Sequence, residues 1–283
     1  MQHLNYCRQM IKQFHEDIKL PEVNKFNKLY FNNLPYLIKL AESSEKFLLP
    51  DSGRLYDDPD YKALDENEEL KLPFNNICLE YFVPYIEDNL NVSDVYVSKR
   101  IILAQQGKQL IRLHIVNFIS NKWLYSGSII LPIINYLDRS LKIDGRVAIR
   151  CSPDPIGNII FTDFGHNELV KQHGDEIGCF LSFLNILRCS NVKTQINQPK
   201  KTNVKLKKDA LPFDSYHILT IDLPHKEYCN GEPKGDHRSP REHLRRGHIR
   251  RLNDGRRVWV NTAVINPGVV GTVKKDYKLR LSA

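Results

Sequence analysis

The chain has 283 residues, of which 41% are hydrophobic and 26% are charged, and its formal net charge is +8. This composition is that of a globular protein and excludes the low hydrophobicity of disordered chains. No run approaches the roughly 18 consecutive apolar residues that a membrane-spanning helix needs, and the N-terminal segment lacks the apolar core of a signal peptide. The six cysteines have no close-spaced framework. We therefore expect reduced thiols in a cytoplasmic protein without membrane association, bound metal or cofactor.

The first 198 residues are predicted to form an α+β body. Its first part, residues 1–50, has helical periodicity, with one amphipathic helix predicted over 3–18 and a second helical stretch over 25–48 that Pro35 interrupts. An acidic connector, residues 51–70, follows and is interpreted as a solvated loop.

The second half of the body is mainly β over residues 73–164 and ends in a core helix over 176–189. Runs rich in Ile, Val, Tyr and Phe predict strands over 77–83, 94–104, 109–119, 122–131, 146–151 and 158–164. The strand over 109–119 alternates polar and apolar residues, as a half-buried antiparallel strand does, and His114 within it is interpreted as a core or sheet-face histidine. Clustered strands flanked by helices favour an α+β fold over a doubly wound one.

One polar loop of the body contains residue types that suit a divalent metal, namely Asp163, His166, Glu168, His173 and Asp175. Their spacing matches no known metal motif, so a solvated loop is the preferred interpretation.

The positive charge is concentrated at the end of the chain. Residues 199–283, hereafter the basic segment, contain 19 Lys and Arg against 9 Asp and Glu, whereas residues 1–198 contain 22 against 24. Such asymmetry predicts a basic module attached to a near-neutral body, with phosphate as its usual partner. Residues 197–210 are interpreted as its exposed linker, and 214–224 as a strand.

Local signals within the basic segment predict a short helix followed by a hairpin. Ser239, Pro240 and Glu242 match the start of a capped helix over 240–246, which Gly247 would end. Asp254-Gly255 favours a two-residue turn that joins strands 248–253 and 256–261. In that register Leu252 faces Arg257, Arg250 faces Trp259 and Ile249 faces Val260, so Trp259 would stack on the Arg250 side chain. A third strand is predicted over 272–281.

The arginines of this region form the predicted nucleic-acid-binding surface, because the planar guanidinium group matches phosphate oxygens. The predicted contacts are Arg238, Arg241, Arg245, Arg246, Arg250 and Arg251, with Trp259 as a bracing or stacking residue. The alternative is that these arginines pair with acidic residues 57–69 of the same chain.

Two further interpretations concern the histidines. A metal-independent ribonuclease needs an acid/base pair and cations, which His243 or His248 with Arg246, Lys275 and Tyr277 would supply. Zinc binding by Cys229, His237, His243 and His248 is disfavoured, because gaps of eight, six and five residues match no common structural zinc spacing.

The ending SPREHLRRGHIRRLNDGRRVWVN (239–261) with VVGTVKKDYKL (269–279) resembles the C-terminus of a group of bacteriophage and prophage proteins of unassigned activity. There a basic HxRRGHxR segment precedes a Trp-Val strand and a final K-x-Y strand, and LPFNNICLEY (72–81) resembles the same group more weakly. The resemblance implies a phage-type accessory protein in the host cytoplasm and supplies no catalytic residues.

Taken together, these features predict a protein that binds the nucleic-acid backbone, DNA or RNA, through the basic segment. One alternative is an inhibitor or adaptor that binds a host or defence protein through aromatic residues of the body, since the chain has 13 Tyr and 12 Phe. The other is the metal-independent ribonuclease.

Overall fold

A computed structural model describes residues 5–20, 25–53, 55, 67–86, 95–143, 146–153, 173–198, 214–222, 243–245, 247–260 and 263–265. Its helices there are α1 (Tyr6–Asp17), α2 (Lys25–Glu42) and α3 (Gly174–Leu187). Its strands, in chain order, are β1 (Glu45–Leu48), β2 (Asn76–Ile86), β3 (Val95–Gln106), β4 (Leu110–Ile119), β5 (Lys122–Pro132), β6 (Leu137–Ile143), β7 (Arg146–Ile149), β8 (Ser152–Pro153), β9 (Val192–Asn197), β10 (Tyr216–Ile221), β11 (His243–Arg245), β12 (His248–Arg251), β13 (Arg257–Val260) and β14 (Ala263–Ile265).

Eight strands form one mixed sheet in the order β8-β5-β4-β3-β2-β1-β10-β9. Strands β2 to β5 are antiparallel neighbours, whereas β1 runs parallel to both β2 and β10. The turn between β4 and β5 has Ser120 and Asn121 at φ of 49° and 63°, the left-handed pair that a tight hairpin turn requires. The predicted α+β class is confirmed.

Helices cover both faces of this sheet. Alternate residues of the central strands, such as Ile102 on β3 and Ile115 on β4, pack with α3 in one core cluster. Their neighbours Ile101 and Val116 pack with α1 and α2 in another. Because successive strand residues point to opposite faces, α3 and the α1–α2 pair lie on opposite sides of the sheet. In the described part of the chain, no helix combines the length and apolarity needed to cross a bilayer.

The two helix layers explain why β4 is buried more deeply than predicted. Its residues 113–117 are all buried, which contradicts the half-buried pattern expected from the sequence. The interpretation of His114 as a core residue is confirmed, since it is 3% exposed and its Nδ1 lies 3.3 Å from the Tyr125 hydroxyl oxygen.

The second predicted helix is wrong at its end, and the predicted interruption at Pro35 is also wrong, because α2 continues through that residue. The sequence predicts that it continues to residue 48, but α2 stops at Glu42 and residues 45–48 form β1. The hydroxyl groups of Ser43 and Ser44 both donate to the Leu40 carbonyl oxygen, at 3.0 and 2.7 Å. Such side-chain bonds compete with continuation of the helix, and Phe47 gains full burial in the sheet core instead.

Most of the other elements predicted for the body are present, although the sequence did not predict β6 or β9. The predicted helices at 3–18 and 176–189 correspond to α1 and α3, and the strands predicted from 77 to 131 correspond to β2–β5. The strand predicted over 146–151 corresponds to β7, and that over 214–224 to β10. The strands predicted over 158–164 and 272–281 lie outside the described residues.

The proposed boundary after residue 198 falls between two paired strands of the main sheet. Strand β10, from the basic segment, pairs with β9 over six residue pairs and with β1 on its other side. The division into a body and a basic module stays a prediction, but this strand of the basic segment belongs to the main sheet.

Candidate nucleic-acid interface

The predicted hairpin of the basic segment is present as β12 and β13, but its turn is one residue longer than expected. The Gly255 amide donates to the Leu252 carbonyl at 3.0 Å, and the Leu252 amide donates to the Arg256 carbonyl at 2.8 Å. The loop is therefore Asn253-Asp254-Gly255, with Gly255 at φ 84°. This three-residue loop, with glycine in the left-handed position, is a common hairpin alternative to the two-residue turn.

The longer loop shifts the predicted register by one residue. Ile249 faces Trp259, Arg250 faces Val258 and Arg251 faces Arg257, so the expected pairing of Arg250 with Trp259 is wrong. Since facing residues share a side of the ladder, Arg250 and Trp259 lie on opposite faces of the hairpin.

Trp259 is a core residue, not an exposed stacking surface. It is 4% exposed and packs with Ile186, Cys189 and Val192, at the end of α3 and the start of β9. The backbone of Gly247 passes directly over the indole, because a Cβ at residue 247 would lie 2.5 Å from Trp259 Cζ2. Trp259 therefore fixes the hairpin to the body and offers no face to a base.

Hydrogen bonds from the loop after α3 hold β13 in place. The side-chain amide of Asn191 accepts from the Trp259 amide at 2.7 Å and donates to the Trp259 carbonyl at 2.9 Å. The Ser190 amide donates to the Arg257 carbonyl at 2.8 Å. The Asn191 side chain thus satisfies both backbone groups of Trp259, as a neighbouring strand would.

An ion pair joins the hairpin to the acidic connector. Arg257, only 7% exposed, donates to the Glu68 carboxylate, which also pairs with Arg188 at 3.2 Å. Arg257 thus pairs with the acidic connector, but it is not one of the six arginines to which the alternative of such pairing was applied, so that alternative stays a prediction. Glu68 of the connector therefore anchors the hairpin to the body, and no pattern in the sequence predicts this role.

The structure leaves two predicted arginines on the hairpin surface. Arg250, Arg251 and Arg256 are all exposed, and Arg256 binds Asp254 within the turn at 2.7 Å. The hydrogen bonds from Arg256 lower the pKa of Asp254. Arg250 and Arg251 therefore project from opposite faces of a hairpin whose base is anchored to the body.

The helix predicted over 240–246 is wrong at residues 243–245, which form β11 and pair with β14. A two-turn helix gains few hydrogen bonds for the entropy of nucleation, and the pairing of Arg245 with Ala263 satisfies the backbone instead. The remaining predicted site residues lie outside the described residues, namely Arg238, Arg241, Arg246, Lys275 and Tyr277, as do Cys229 and His237 of the zinc alternative.

The histidines of the ribonuclease hypothesis lie in different ladders. His243 pairs with Ile265 between β11 and β14, and His248 pairs with Val260 between β12 and β13. The structure thus places them on separate two-stranded sheets, and the hypothesis stays untested because Lys275 and Tyr277 are not described.

One buried cluster in the described residues has metal-ligand chemistry. Cys7, Cys78 and Glu80 bring their ligand atoms within 4.8 Å of one another. However, the two Glu80 carboxylate oxygens accept the backbone N–H groups of Tyr6 and Cys7, at 3.0 and 3.1 Å. Glu80 therefore acts as the cap of α1, whose own Asn5 makes no side-chain cap bond. Burial raises the pKa of Glu80 to about 7.

The polar loop whose residue types suit a divalent metal contributes two described residues. His173 is 2% exposed, which contradicts a fully solvated loop, and Asp175 is exposed. Asp163, His166 and Glu168 lie outside the described residues.

Comparison of the chain with protein-family models, with curated proteins and with solved structures finds no match.

Proposed function

We propose that this protein binds the phosphate backbone of nucleic acid through its basic segment, with Arg250 and Arg251 at the tip of a docked hairpin. The observation that carries the proposal is the concentration of charge: residues 199–283 have a formal charge of +10, and residues 1–198 of −2. Arg238, Arg241, Arg245 and Arg246 are proposed as further contacts, and Trp259 as their structural support. The setting we propose is a phage-type accessory protein in the host cytoplasm.

The anchoring of the hairpin supports this role. Each guanidinium group offers planar donors that match two phosphate oxygens at once. Because Trp259, Asn191 and the Arg257–Glu68 pair already fix β13, the neighbouring arginines lose less freedom on binding than they would on a loose tail. Contacts to phosphate carry no sequence information, so we expect binding of many sequences with similar affinity.

The test is fluorescence anisotropy with labelled single- and double-stranded DNA and RNA, in EDTA, at several salt concentrations. We expect the logarithm of the binding constant to fall linearly with the logarithm of salt concentration. Arg250→Ala/Arg251→Ala should weaken binding and reduce the slope by roughly 2 for duplex DNA, because each phosphate contact contributes about −0.9 to it.

Lys19→Ala/Lys122→Ala is the matched control, because it removes two exposed positive charges from the body and should leave the slope unchanged. Equal effects of the two double variants would contradict a localised interface. If Arg245→Ala/Arg246→Ala binds with unchanged affinity, these two residues are not part of the proposed interface. Failure to bind any probe would overturn the proposal in favour of a protein partner, and probe cleavage in EDTA would favour the ribonuclease.

A further inference from the structure

A row of polar side chains crosses the sheet beneath the first turn of α3. Tyr81 on β2 faces Arg100 on β3, and Arg100 faces Asn117 on β4. Their positions match the strand residues that contact α3, so the three side chains, hereafter the polar row, share the α3 face. A register shift between β4 and β5 adds Ser126 to this row, since Asn117 Nδ2 donates to Ser126 Oγ at 2.8 Å. Bulges often re-aim side chains in this way beside functional sites.

The start of α3 contributes an ionic pair to the same place. Glu176 Oε1 lies 3.2 Å from Arg100 Nη1, and Glu176 Oε2 lies 3.8 Å from His173 Nδ1. Burial opposes ionisation of Glu176, but the interactions with His173 and Arg100 outweigh it and lower the pKa of this carboxyl group. The other ring nitrogen of His173, Nε2, lies on the side of the imidazole away from this carboxylate and is able to form a further hydrogen bond.

Together these residues line a cavity of about 810 Å³. The volume lies within the range of small-molecule sites. Its walls include the apolar side chains of Val83, Ile119 and Cys179, besides the polar row.

Three buried polar atoms of the cavity residues have no hydrogen-bond partner among the residues described. They are Arg100 Nε, a donor, Asn117 Oδ1, an acceptor, and His173 Nε2. His173 and Asn117 are 2% and 5% exposed. Unsatisfied buried polar groups are rare in folded proteins, and three of them belong to residues that line this one cavity.

The charge of the cavity limits the ligand class. Glu176 neutralises Arg100, and Asp175 adds a negative charge on the first turn of α3. A phosphate or carboxylate ligand would meet this carboxylate pair, whereas a neutral ring with adjacent donor and acceptor groups would satisfy Arg100 and Asn117 together. Planar heterocycles with an amide edge, as in nucleobases, have this pattern.

We propose that this cavity is a binding site for a nucleobase, with Asn117 and Arg100 contacting its amide edge and His173 Nε2 forming a further hydrogen bond. The site lies at the N-terminal end of α3, and the docked hairpin lies at its C-terminal end, about 20 Å away for a helix of 14 residues. The proposal therefore does not depend on backbone binding by the basic segment.

The test is isothermal titration of the full chain with adenosine, guanosine, cytidine and uridine, which carry no phosphate. We expect at least one nucleoside to bind, and inorganic phosphate not to compete with it. Asn117→Leu and His173→Gln should each weaken that binding at least tenfold, whereas Lys122→Ala, outside the cavity on β5, should not.

Thermal unfolding of each variant shows whether it is folded. If Asn117→Leu does not fold, the test uses His173→Gln alone. The proposal is overturned if none of the four nucleosides binds at low millimolar concentration. Wild-type affinity in both folded variants, or displacement of the nucleoside by phosphate, would also overturn it.

Discussion

Glu80 shows how one side chain links two layers of the fold. It lies on β2, but its carboxylate receives the first backbone N–H groups of α1, which has no acidic residue in its own first turn. Burial favours the neutral form and raises the pKa to about 7, although the two backbone hydrogen bonds and Lys46 act in the opposite direction. Removal of Glu80 from water thus outweighs the helix-capping interaction.

This pKa predicts a pH-dependent stability. Between pH 4.5 and 7 the unfolded chain loses the Glu80 proton while the folded chain keeps it, so the free energy of unfolding falls as pH rises. Across this range wild type should lose about 3 kcal/mol relative to Glu80→Gln. Urea unfolding of both proteins at several pH values measures the difference.

The control for this comparison is Glu42→Gln, which neutralises an exposed carboxyl group on α2. It should show no comparable change relative to wild type. If the difference in unfolding free energy between wild type and Glu80→Gln stays constant with pH, the raised pKa of Glu80 is contradicted. It is also contradicted if wild type becomes more stable relative to the variant as pH rises.

Single residues were the least predictable part of the sequence. The exposure of Arg250 and Arg251 agrees with their expected role, but Trp259, expected beside Arg250, lies in the core. Composition indicates which residue types bind phosphate. It does not indicate which arginine meets Glu68, because that pairing joins residues 189 positions apart.

At the scale of elements, two glycines of the hairpin have different structural roles. Gly255 has φ 84°, and no atom lies within 4 Å of the position that a Cβ would take there, so alanine meets only backbone strain. Gly247 lies against the Trp259 ring, so alanine there must displace the indole that anchors β13.

The two alanine substitutions should therefore lower the free energy of unfolding by different amounts. Gly255→Ala should cost about 1 kcal/mol and Gly255→Asn less, because asparagine tolerates the left-handed conformation. Gly247→Ala should cost roughly 1–3 kcal/mol by overpacking and should change Trp fluorescence in the folded protein. Urea unfolding gives these free energies, and a Gly247→Ala protein with wild-type stability and fluorescence would contradict the packing of Gly247 against the indole.

Strongly periodic elements could be predicted, and elements set by a few local residues could not. The strands β2–β5 and the core helix α3 have long apolar patterns that dominate local preferences. The Asp254-Gly255 pair correctly predicted a hairpin turn. Because the loop also includes Asn253, the pairing of β12 with β13 is shifted by one residue, and Arg250 lies on the opposite face from Trp259. The helix expected around residue 243 had good end signals but too few residues to outweigh strand pairing.

At the scale of the molecule, α3 connects the two proposed sites. Its N-terminal end borders the proposed nucleobase cavity through His173 and Glu176, and the residues at its other end pack against Trp259. The charge asymmetry that indicates the hairpin is visible in the sequence. The cavity is not, because the polar row joins Tyr81, Arg100 and Asn117 only through the register of three strands.

The contacts of the basic segment also predict how the whole chain unfolds. Strand β10 lies within the main sheet, and Trp259, Asn191 and Arg257 join the hairpin to the body. These contacts favour unfolding of the hairpin and body in one cooperative transition. The chain has two tryptophans, Trp123 in the core beside α1 and Trp259 in the hairpin, so each reports on a different region.

In Trp123→Phe, the fluorescence of Trp259 should therefore change at the same urea concentration as the far-UV circular dichroism of the same variant. In Trp259→Phe, the fluorescence of Trp123 should also coincide with its circular dichroism, which controls for the loss of stability that either substitution brings. A Trp259 transition at lower urea than the circular dichroism would contradict cooperative unfolding. It would instead support a basic segment that folds as a separate unit, because docking through Trp259 would then be weaker than the packing of the sheet.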